Sequence, residues 1–172
     1  MLFVKKRQQN SSKFILMFIA GFYCPGGNNV SAPSASECQR GFYCPINSSR
    51  MTPCDERRYC AAPRMASPGD FCDAGYYCPL ESHSSRQQEC PPGYYCLSGS
   101  KSPSPCDPGT FLPGKNHVNK SECLECSAGM FCNQSGLATP SGICDEKYYC
   151  PTGQVSSRPA QYFCPSGHYC KV

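Results

Sequence analysis

Apolar residues are sparse along most of this chain, and they gather in short groups next to cysteines. After residue 20, Leu, Ile, Val and Phe together occupy only 17 of 152 positions, too few to cover the faces of an ordinary sheet or helix bundle. The stretches between these groups are polar and rich in turn-forming residues. This pattern predicts very short strands separated by loops, with little helix after residue 23.

The first 23 residues differ from the rest because they contain no cysteine. A basic stretch from Lys5 to Lys13 precedes a short apolar run from Phe14 to Ala20, an order that resembles a signal peptide. Cleavage after Ala20 would place the bulky Phe18 at the −3 position, which is a poor site. The alternative for residues 1–20 is therefore a misread or truncated N-terminus. The apolar run is too short to span a bilayer, which takes about 20 residues, so we predict no transmembrane helix.

Residues 21–172 form a tandem repeat of about nine modules of 16 to 20 residues. In seven modules two cysteines are separated by five residues, and an aromatic residue precedes the second cysteine each time. The pairs are Cys38/Cys44, Cys54/Cys60, Cys72/Cys78, Cys90/Cys96, Cys126/Cys132, Cys144/Cys150 and Cys164/Cys170. A glycine usually lies three residues after the first cysteine, where we expect a tight turn with positive φ. These glycines are Gly41, Gly75, Gly93, Gly129 and Gly167.

Some modules depart from this rule. The module around Cys24 lacks its leading cysteine, because Phe18 stands in that place. Arg57 and Lys147 occupy the glycine position in two others, which leaves the turn geometry of those modules open.

One module has lost a cysteine and gained another. Leu112 stands six residues after Cys106, where the second cysteine belongs, and an additional Cys123 lies three residues before Cys126. A loss paired with a nearby gain indicates that one disulfide has been re-routed.

The cysteine content indicates an oxidising compartment. The chain has 17 cysteines in 172 residues, the level of a disulfide scaffold. Closing a short loop with a disulfide stabilises a protein by roughly 2–3 kcal/mol, and a typical net stability is about 5–15 kcal/mol. We therefore predict a secreted protein or one on the extracellular face of the plasma membrane. Five possible N-glycosylation sequons fit this route: Asn10, Asn29, Asn47, Asn119 and Asn133.

The net charge of +4 comes entirely from the N-terminal segment. Lys5, Lys6, Arg7 and Lys13 supply it, and from residue 14 onward 12 basic and 12 acidic residues cancel. The sequence therefore indicates no cluster of basic residues that could bind nucleic acid, and we expect no nucleic-acid partner.

Catalytic and metal sites are not indicated. The three histidines, His83, His117 and His168, lie in different repeats with polar neighbours, so we expect no catalytic residue, no cofactor and no enzyme activity. Structural zinc sites use pairs of cysteines two to four residues apart, and Cys123/Cys126 forms such a pair. These two with Cys106 and His117 would make an irregularly spaced set, so we prefer disulfides to a metal. A thioredoxin-like redox pair at Cys123/Cys126 would need a βαβ context, and none is visible.

The recurring motif Cys-x-x-Gly-aromatic-Tyr-Cys-Pro resembles the cysteine-rich repeats of ephrin-receptor-like domains, within the growth-factor-receptor cysteine-rich group. The segment from Cys106 to Cys126 carries this likeness most fully, and it also resembles a cysteine-rich module of tumour-necrosis-factor receptors. The resemblance covers residues 21–172. It implies a small disulfide-rich fold, a linear array of short β-hairpin modules in a secreted or surface protein.

Two disulfide schemes fit the spacing. In the local scheme each Cys-x5-Cys pair closes on itself, Cys106 bonds Cys123, and Cys24 stays unpaired. The offset bonds would be Cys24–Cys38, Cys44–Cys54, Cys60–Cys72, Cys78–Cys90, Cys96–Cys106, Cys123–Cys126, Cys132–Cys144 and Cys150–Cys164. Both loop lengths permit disulfide geometry, and each scheme leaves one cysteine over. We favour the local scheme, because Cys123 then replaces the cysteine missing at Leu112 and because it matches the resembling receptor module.

Three functions stay open. The first is an extracellular or cell-surface structural or interaction segment of a larger protein, with an unknown protein or glycan as partner. The second is a receptor-type ligand-binding module, which the resemblance around Cys106 implies. The third is a cysteine-rich metal-binding protein.

Overall fold

Two-residue strands paired as antiparallel hairpins are the main regular structure of this protein. The computed structural model describes residues 20–25 and 36–168. Within these ranges twelve strands form six hairpins, and two 3₁₀ helices cover Lys120–Glu122 and Ala160–Tyr162. The predicted fold class, a disulfide-rich array of short hairpin modules with little helix, is confirmed for this part of the chain. The signal-peptide interpretation concerns residues 1–20, nearly all of which lie outside it.

Each hairpin joins one module to the next. Its first strand is the residue pair before a second cysteine or its substitute, and its second strand is the pair before the next module's first cysteine. The hairpins are β1–β2 (Phe22–Tyr23, Ser36–Glu37), β3–β4 (Phe42–Tyr43, Thr52–Pro53), β5–β6 (Tyr76–Tyr77, Gln88–Glu89), β7–β8 (Tyr94–Tyr95, Ser104–Pro105), β9–β10 (Thr110–Phe111, Leu124–Glu125) and β11–β12 (Met130–Phe131, Gly142–Ile143). Single bridges, Arg58 with Phe71 and Tyr148 with Phe163, replace the hairpin in the modules of Arg57 and Lys147.

The described residues belong to two compact units, one with residues 20–25, 36–72 and 78–87 and the other with residues 73–77 and 88–168. The same backbone hydrogen bonds connect successive modules within each unit. In the first, the N–H of Gly41 donates to the C=O of Cys60 (3.0 Å), and the C=O of Gly41 accepts from the N–H of Cys54 (2.8 Å). In the second, Gly93 makes the equivalent bonds to Leu112 (2.8 Å) and Cys106 (3.0 Å). From Gly21 to Gly129, each turn residue thus bonds the following module through both of its backbone groups. Lys147 does so through its C=O, which accepts from the N–H of Cys164 (2.8 Å).

The turn residues all have positive φ, as the repeat glycines predicted. The angle is 82° at Gly75 and 85° at Gly93, and it is 79° at Arg57 and 67° at Lys147, where the glycine is absent. Glycine is favoured because this backbone region strains L residues. The turn geometry that the sequence left open at Arg57 and Lys147 is therefore the same as elsewhere, held by the same inter-module bonds.

We expect Gly75→Ala to destabilise the second unit by about 1–3 kcal/mol, because the backbone of an alanine is strained at this positive φ. Its Cβ would also lie 2.6 Å from the carbonyl oxygen of Asn116. The matched change Lys147→Gly removes the strain and should have a smaller, opposite effect, with Lys147→Ala as the side-chain control. Thermal unfolding followed by circular dichroism measures all three. Equal stability of Gly75→Ala and the parent would show that neither strain nor close approach requires the glycine.

Disulfides form the interior of these modules. Among the described residues, the buried apolar side chains are Leu112, Pro159 and thirteen cysteines. The aromatic residues that precede the second cysteines, such as Tyr43 and Tyr95, are only half-buried. The interior of a typical module is thus a disulfide with aromatic rings beside it, which accords with the scarcity of aliphatic residues.

Candidate functional site

Seven disulfides have both partners in the described part of the chain. They are Cys38–Cys44, Cys54–Cys60, Cys72–Cys78, Cys90–Cys96, Cys106–Cys123, Cys126–Cys132 and Cys144–Cys150, with Cα–Cα distances from 5.8 to 6.3 Å. These are the bonds of the local scheme, whereas the offset scheme would need Cys78 to bond Cys90. Cys164 is also disulfide-bonded, and its expected partner Cys170 lies outside the described residues. Cys24 is unpaired and buried.

Leu112 occupies the place of a second cysteine in both packing and hydrogen bonding. Its side chain is 1% exposed. Its N–H donates to the C=O of Leu137 (2.8 Å), and its C=O accepts from the N–H of Gly93 (2.8 Å). Cys96 makes the equivalent bonds in the preceding module, donating to His117 (2.9 Å) and accepting from Gly75 (2.8 Å). The leucine therefore keeps the module closed, and the re-routed sulfur closes a separate loop, residues 113–123, which we name the long loop.

A second residue with positive φ lies three or four residues after each second cysteine from Cys44 to Cys150, and after Leu112 in the module that lacks it. Sequence reasoning missed these residues. Arg64 (φ 61°) donates its N–H to the C=O of Cys38 (2.8 Å), and Glu81 (φ 65°) donates to Cys54 (3.1 Å). The guanidinium of Arg64 also stacks over the ring of Phe22 at 5.3 Å. We call these anchor residues. Five of the seven are Gly or Asn, the residue types favoured at positive φ, and this is the signal that could have indicated them: Asn47, Gly99, Asn116, Gly136 and Gly153.

The long loop is tied to earlier modules at its anchor residue, Asn116 (φ 62°). The N–H of Asn116 donates to the C=O of Cys90 (2.9 Å), and its side-chain amide donates to the hydroxyl of Tyr76 (3.0 Å). The next residue, His117, accepts from the N–H of Cys96 (2.9 Å) through its C=O. Residues 116 and 117 therefore stay fixed to the modules before the loop, whatever the rest of the loop does.

The second half of the loop is organised by an ion pair. His117 Nδ1 lies 2.6 Å from Glu122 Oε2, and His117 Nε2 lies 2.6 Å from the carbonyl oxygen of Pro113. Both ring nitrogens face acceptors, so only the charged imidazolium can donate to both. The carboxylate of Glu122 first, and the Pro113 carbonyl second, raise the pKa of His117 above its usual value. The hydrogen bond with His117 lowers the pKa of Glu122, whose Oε1 also accepts from the N–H groups of Val118 (3.0 Å) and Asn119 (2.9 Å).

We expect the loop to be held most firmly in mildly acidic solution. The raised pKa of His117 contributes stability that is complete below about pH 6.5, the usual histidine value, and is lost as the pH rises through the folded pKa. The lowered pKa of Glu122 contributes stability above about pH 4.3, its usual value, which is lost as the pH falls through the folded pKa. Amide hydrogen exchange of Val118 and Asn119, corrected for its intrinsic pH dependence, should therefore accelerate above neutrality. The variant Glu122→Gln is the control, and unchanged protection from pH 5 to 9 would contradict the assignment.

The predicted sequons differ in their surroundings. Asn47, Asn119 and Asn133 are exposed, and Asn10 and Asn29 lie outside the described residues. The side chain of Asn119 caps the 3₁₀ helix by accepting from the N–H of Ser121 (3.4 Å), and Asn133 Oδ1 accepts from the hydroxyl of Ser141 (2.8 Å). A glycan would project from these sites into solvent.

The other candidate residues are not brought together. His83 and His168 are exposed. Cys106, Cys123 and Cys126, the sulfurs of the alternative zinc set, are in disulfides, and His117 bonds Glu122. Within residues 20–25 and 36–168, no three metal-ligating side chains form a group, and no helix there is long and apolar enough to span a membrane.

No protein-family model matches the chain, and no curated protein is significantly similar to it.

Proposed function

We propose that this chain is a non-enzymatic repeat segment of a secreted or cell-surface protein, which presents its loops to another protein or to a glycan. The observation that carries the proposal is the interior of the modules, where buried disulfides take the place of an aliphatic core. Such an interior needs an oxidising compartment. The exposed sequons Asn47, Asn119 and Asn133 support the same route.

The family assignment is part of the proposal. The likeness to ephrin-receptor-like and growth-factor-receptor cysteine-rich repeats lies in the motif Cys-x-x-Gly-aromatic-Tyr-Cys-Pro. The hairpin modules and the local pairing are features that such a relationship would explain. The Cys106–Cys123 bond supports the likeness to a tumour-necrosis-factor-receptor module in particular.

Expression in two compartments of the same cell tests the proposal. Directed into the secretory route, the chain should emerge with a single alkylatable cysteine after denaturation, Cys24, and with a mass that falls on treatment with an N-glycosidase. Expressed in the cytosol, it should be reduced and rapidly degraded. A protease-resistant cytosolic product with free thiols would overturn the proposal. Stoichiometric zinc in that product would instead support the metal-binding alternative.

The long loop favours the receptor-type alternative, a ligand-binding module. It leaves Val118 43% exposed and is followed at once by Leu124, which is 49% exposed. A cross-linked loop that carries exposed apolar side chains would offer a ligand a preformed contact surface. A receptor of this kind carries a membrane-spanning helix and a cytoplasmic domain, so the full-length transcript tests this alternative directly.

A further inference from the structure

The Cys106–Cys123 disulfide is more exposed than five of the ring bonds. Cys106 is fully buried, but Cys123 is partly exposed. Both cysteines are fully buried in five of the bonds that close a Cys-x5-Cys ring, Cys38–Cys44, Cys54–Cys60, Cys72–Cys78, Cys90–Cys96 and Cys126–Cys132. A thiol must approach one sulfur of a disulfide along the bond axis to attack it, so access to a cysteine controls the rate of reduction. Cys123 offers such access.

The module around this bond does not depend on it for closure. Leu112 fills the interior, and the N–H of Cys106 donates to the C=O of Gly93 (3.0 Å) while its C=O accepts from the N–H of Gly136 (2.9 Å). Both ends of the segment from Cys106 to Leu112 are thus bonded to other modules through the backbone. In the ring modules, by contrast, the buried sulfurs themselves are the interior.

We propose that Cys106–Cys123 is a redox-controlled latch: a thiol reductant opens it and releases residues 118–123 while the modules on both sides stay folded. A thiolate of the reductant attacks the sulfur of Cys123, forms a mixed disulfide and expels the Cys106 thiolate. A second reductant thiolate then attacks the reductant's sulfur and expels the Cys123 thiolate. The reductant leaves as its disulfide, and the two electrons reside on Cys106 and Cys123.

The released segment is bounded by contacts that do not involve the disulfide. On one side, His117 is bonded to Cys96, and on the other, Leu124 pairs with Phe111 in the β9–β10 hairpin. Between them, Glu122 remains the main internal attachment, through His117 and two backbone N–H groups.

The other charged groups at the loop are two exposed ion pairs. Lys120 lies 2.7 Å from Asp107, and Lys115 lies 3.0 Å from Glu89. Exposed pairs of this kind hold a chain weakly. Opening the disulfide therefore leaves the segment held chiefly by Glu122, and a neutral side chain at that position should make the latch open more readily.

Cys144–Cys150 provides the comparison within the same unit. Its first cysteine is also partly exposed and its second is buried. This bond closes an ordinary ring, however, and no apolar residue stands in for either sulfur. Access alone would open both bonds, whereas only Cys106–Cys123 should open without loss of the surrounding structure.

Limited reduction of the intact chain with dithiothreitol, quenched by iodoacetamide, tests the latch. Peptide mapping should show that Cys106 and Cys123 become alkylated at least ten times faster than the cysteines of the five fully buried rings. In the species alkylated at Cys106 and Cys123, hydrogen exchange should keep the N–H groups of Gly93 and Leu112 protected and expose residues 118–123. Glu122→Gln should speed the opening severalfold. Simultaneous alkylation of all bonds, or loss of protection at Leu112, would overturn the proposal.

A matched pair of variants gives a second readout. Cys106→Ser with Cys123→Ser should fold and retain the protection of Gly93 and Leu112. Cys126→Ser with Cys132→Ser, which makes the same chemical change in a ring module, should lose protection of its own module. Failure of the first variant to fold, or equal tolerance of both pairs, would contradict a latch, because the proposal requires Leu112 to replace only the Cys106–Cys123 bond.

Discussion

Complete reduction of the disulfides is expected to unfold both units of the protein. Seven bonds have both partners in the described residues, and at roughly 2–3 kcal/mol each they exceed the typical net stability of about 5–15 kcal/mol. Besides Pro159 and the unpaired Cys24, Leu112 is the one buried apolar side chain in these ranges that is not part of a disulfide. The hairpins have two residues per strand, too short to persist without cross-links.

Circular dichroism and limited proteolysis before and after reduction measure this effect. The reduced, alkylated chain should lose its folded spectrum and be digested throughout. A reduced sample that is left unalkylated should regain its resistance on reoxidation in a glutathione buffer. The limited conditions that open Cys106–Cys123 alone serve as the internal control. An unchanged spectrum and unchanged resistance after all cysteines are alkylated would show that packing other than the disulfides holds the fold.

Leu112→Ala is expected to be among the most damaging single substitutions outside the cysteines. The side chain is 1% exposed, and replacing a buried leucine with alanine costs about 2–5 kcal/mol. Thermal unfolding should show this as a fall in Tm of roughly 2–4 °C per kcal/mol for a chain of this size. The stability is lost because the substitution leaves a cavity at the position where other modules have the sulfur of a second cysteine.

Two variants make the Leu112 result specific. Leu112→Met conserves volume and should cost less than about 1.5 kcal/mol. Leu124→Ala removes the same atoms from a side chain that is 49% exposed, and its effect should stay within about 0.5 kcal/mol. Equal effects of the alanine substitutions at the two leucines would show that Leu112 does not replace a cysteine in the module interior.

The cysteine spacing was enough to predict the hairpin array, but it fitted two pairing schemes. The local pairing was favoured because Cys123 replaces the cysteine missing at Leu112 and because it matches the resembling receptor module. Cys-x5-Cys with an aromatic residue and a glycine at constant positions describes a closed ring with a tight turn, because both constraints are local in sequence. Arg57 and Lys147 show the limit of residue type as evidence. The inter-module bonds impose the same positive φ on them that glycine adopts freely.

What the sequence could not indicate depends on contacts between distant modules. The anchor residues Arg64 and Glu81 are held at positive φ by backbone hydrogen bonds to an earlier module, and neither residue type is one that favours this φ. The role of His117 was likewise hidden, because its partner carboxylate is set by the path of the long loop and not by a motif. The sequence offered His117 only as a member of an irregular metal-ligand set.

The re-routed disulfide also sets how far the chain extends when it is pulled from its ends. A tensile load crosses an ordinary ring through its sulfurs, whose Cα atoms are 5.9 Å apart, so six peptide steps of about 3.4 Å each contribute almost no length. The Cys106–Cys123 bond keeps 17 peptide steps from extending, because it holds the two Cα atoms 5.8 Å apart. Reduction of this one bond would lengthen the loaded chain by about 50 Å, more than three times the slack that any single ring stores.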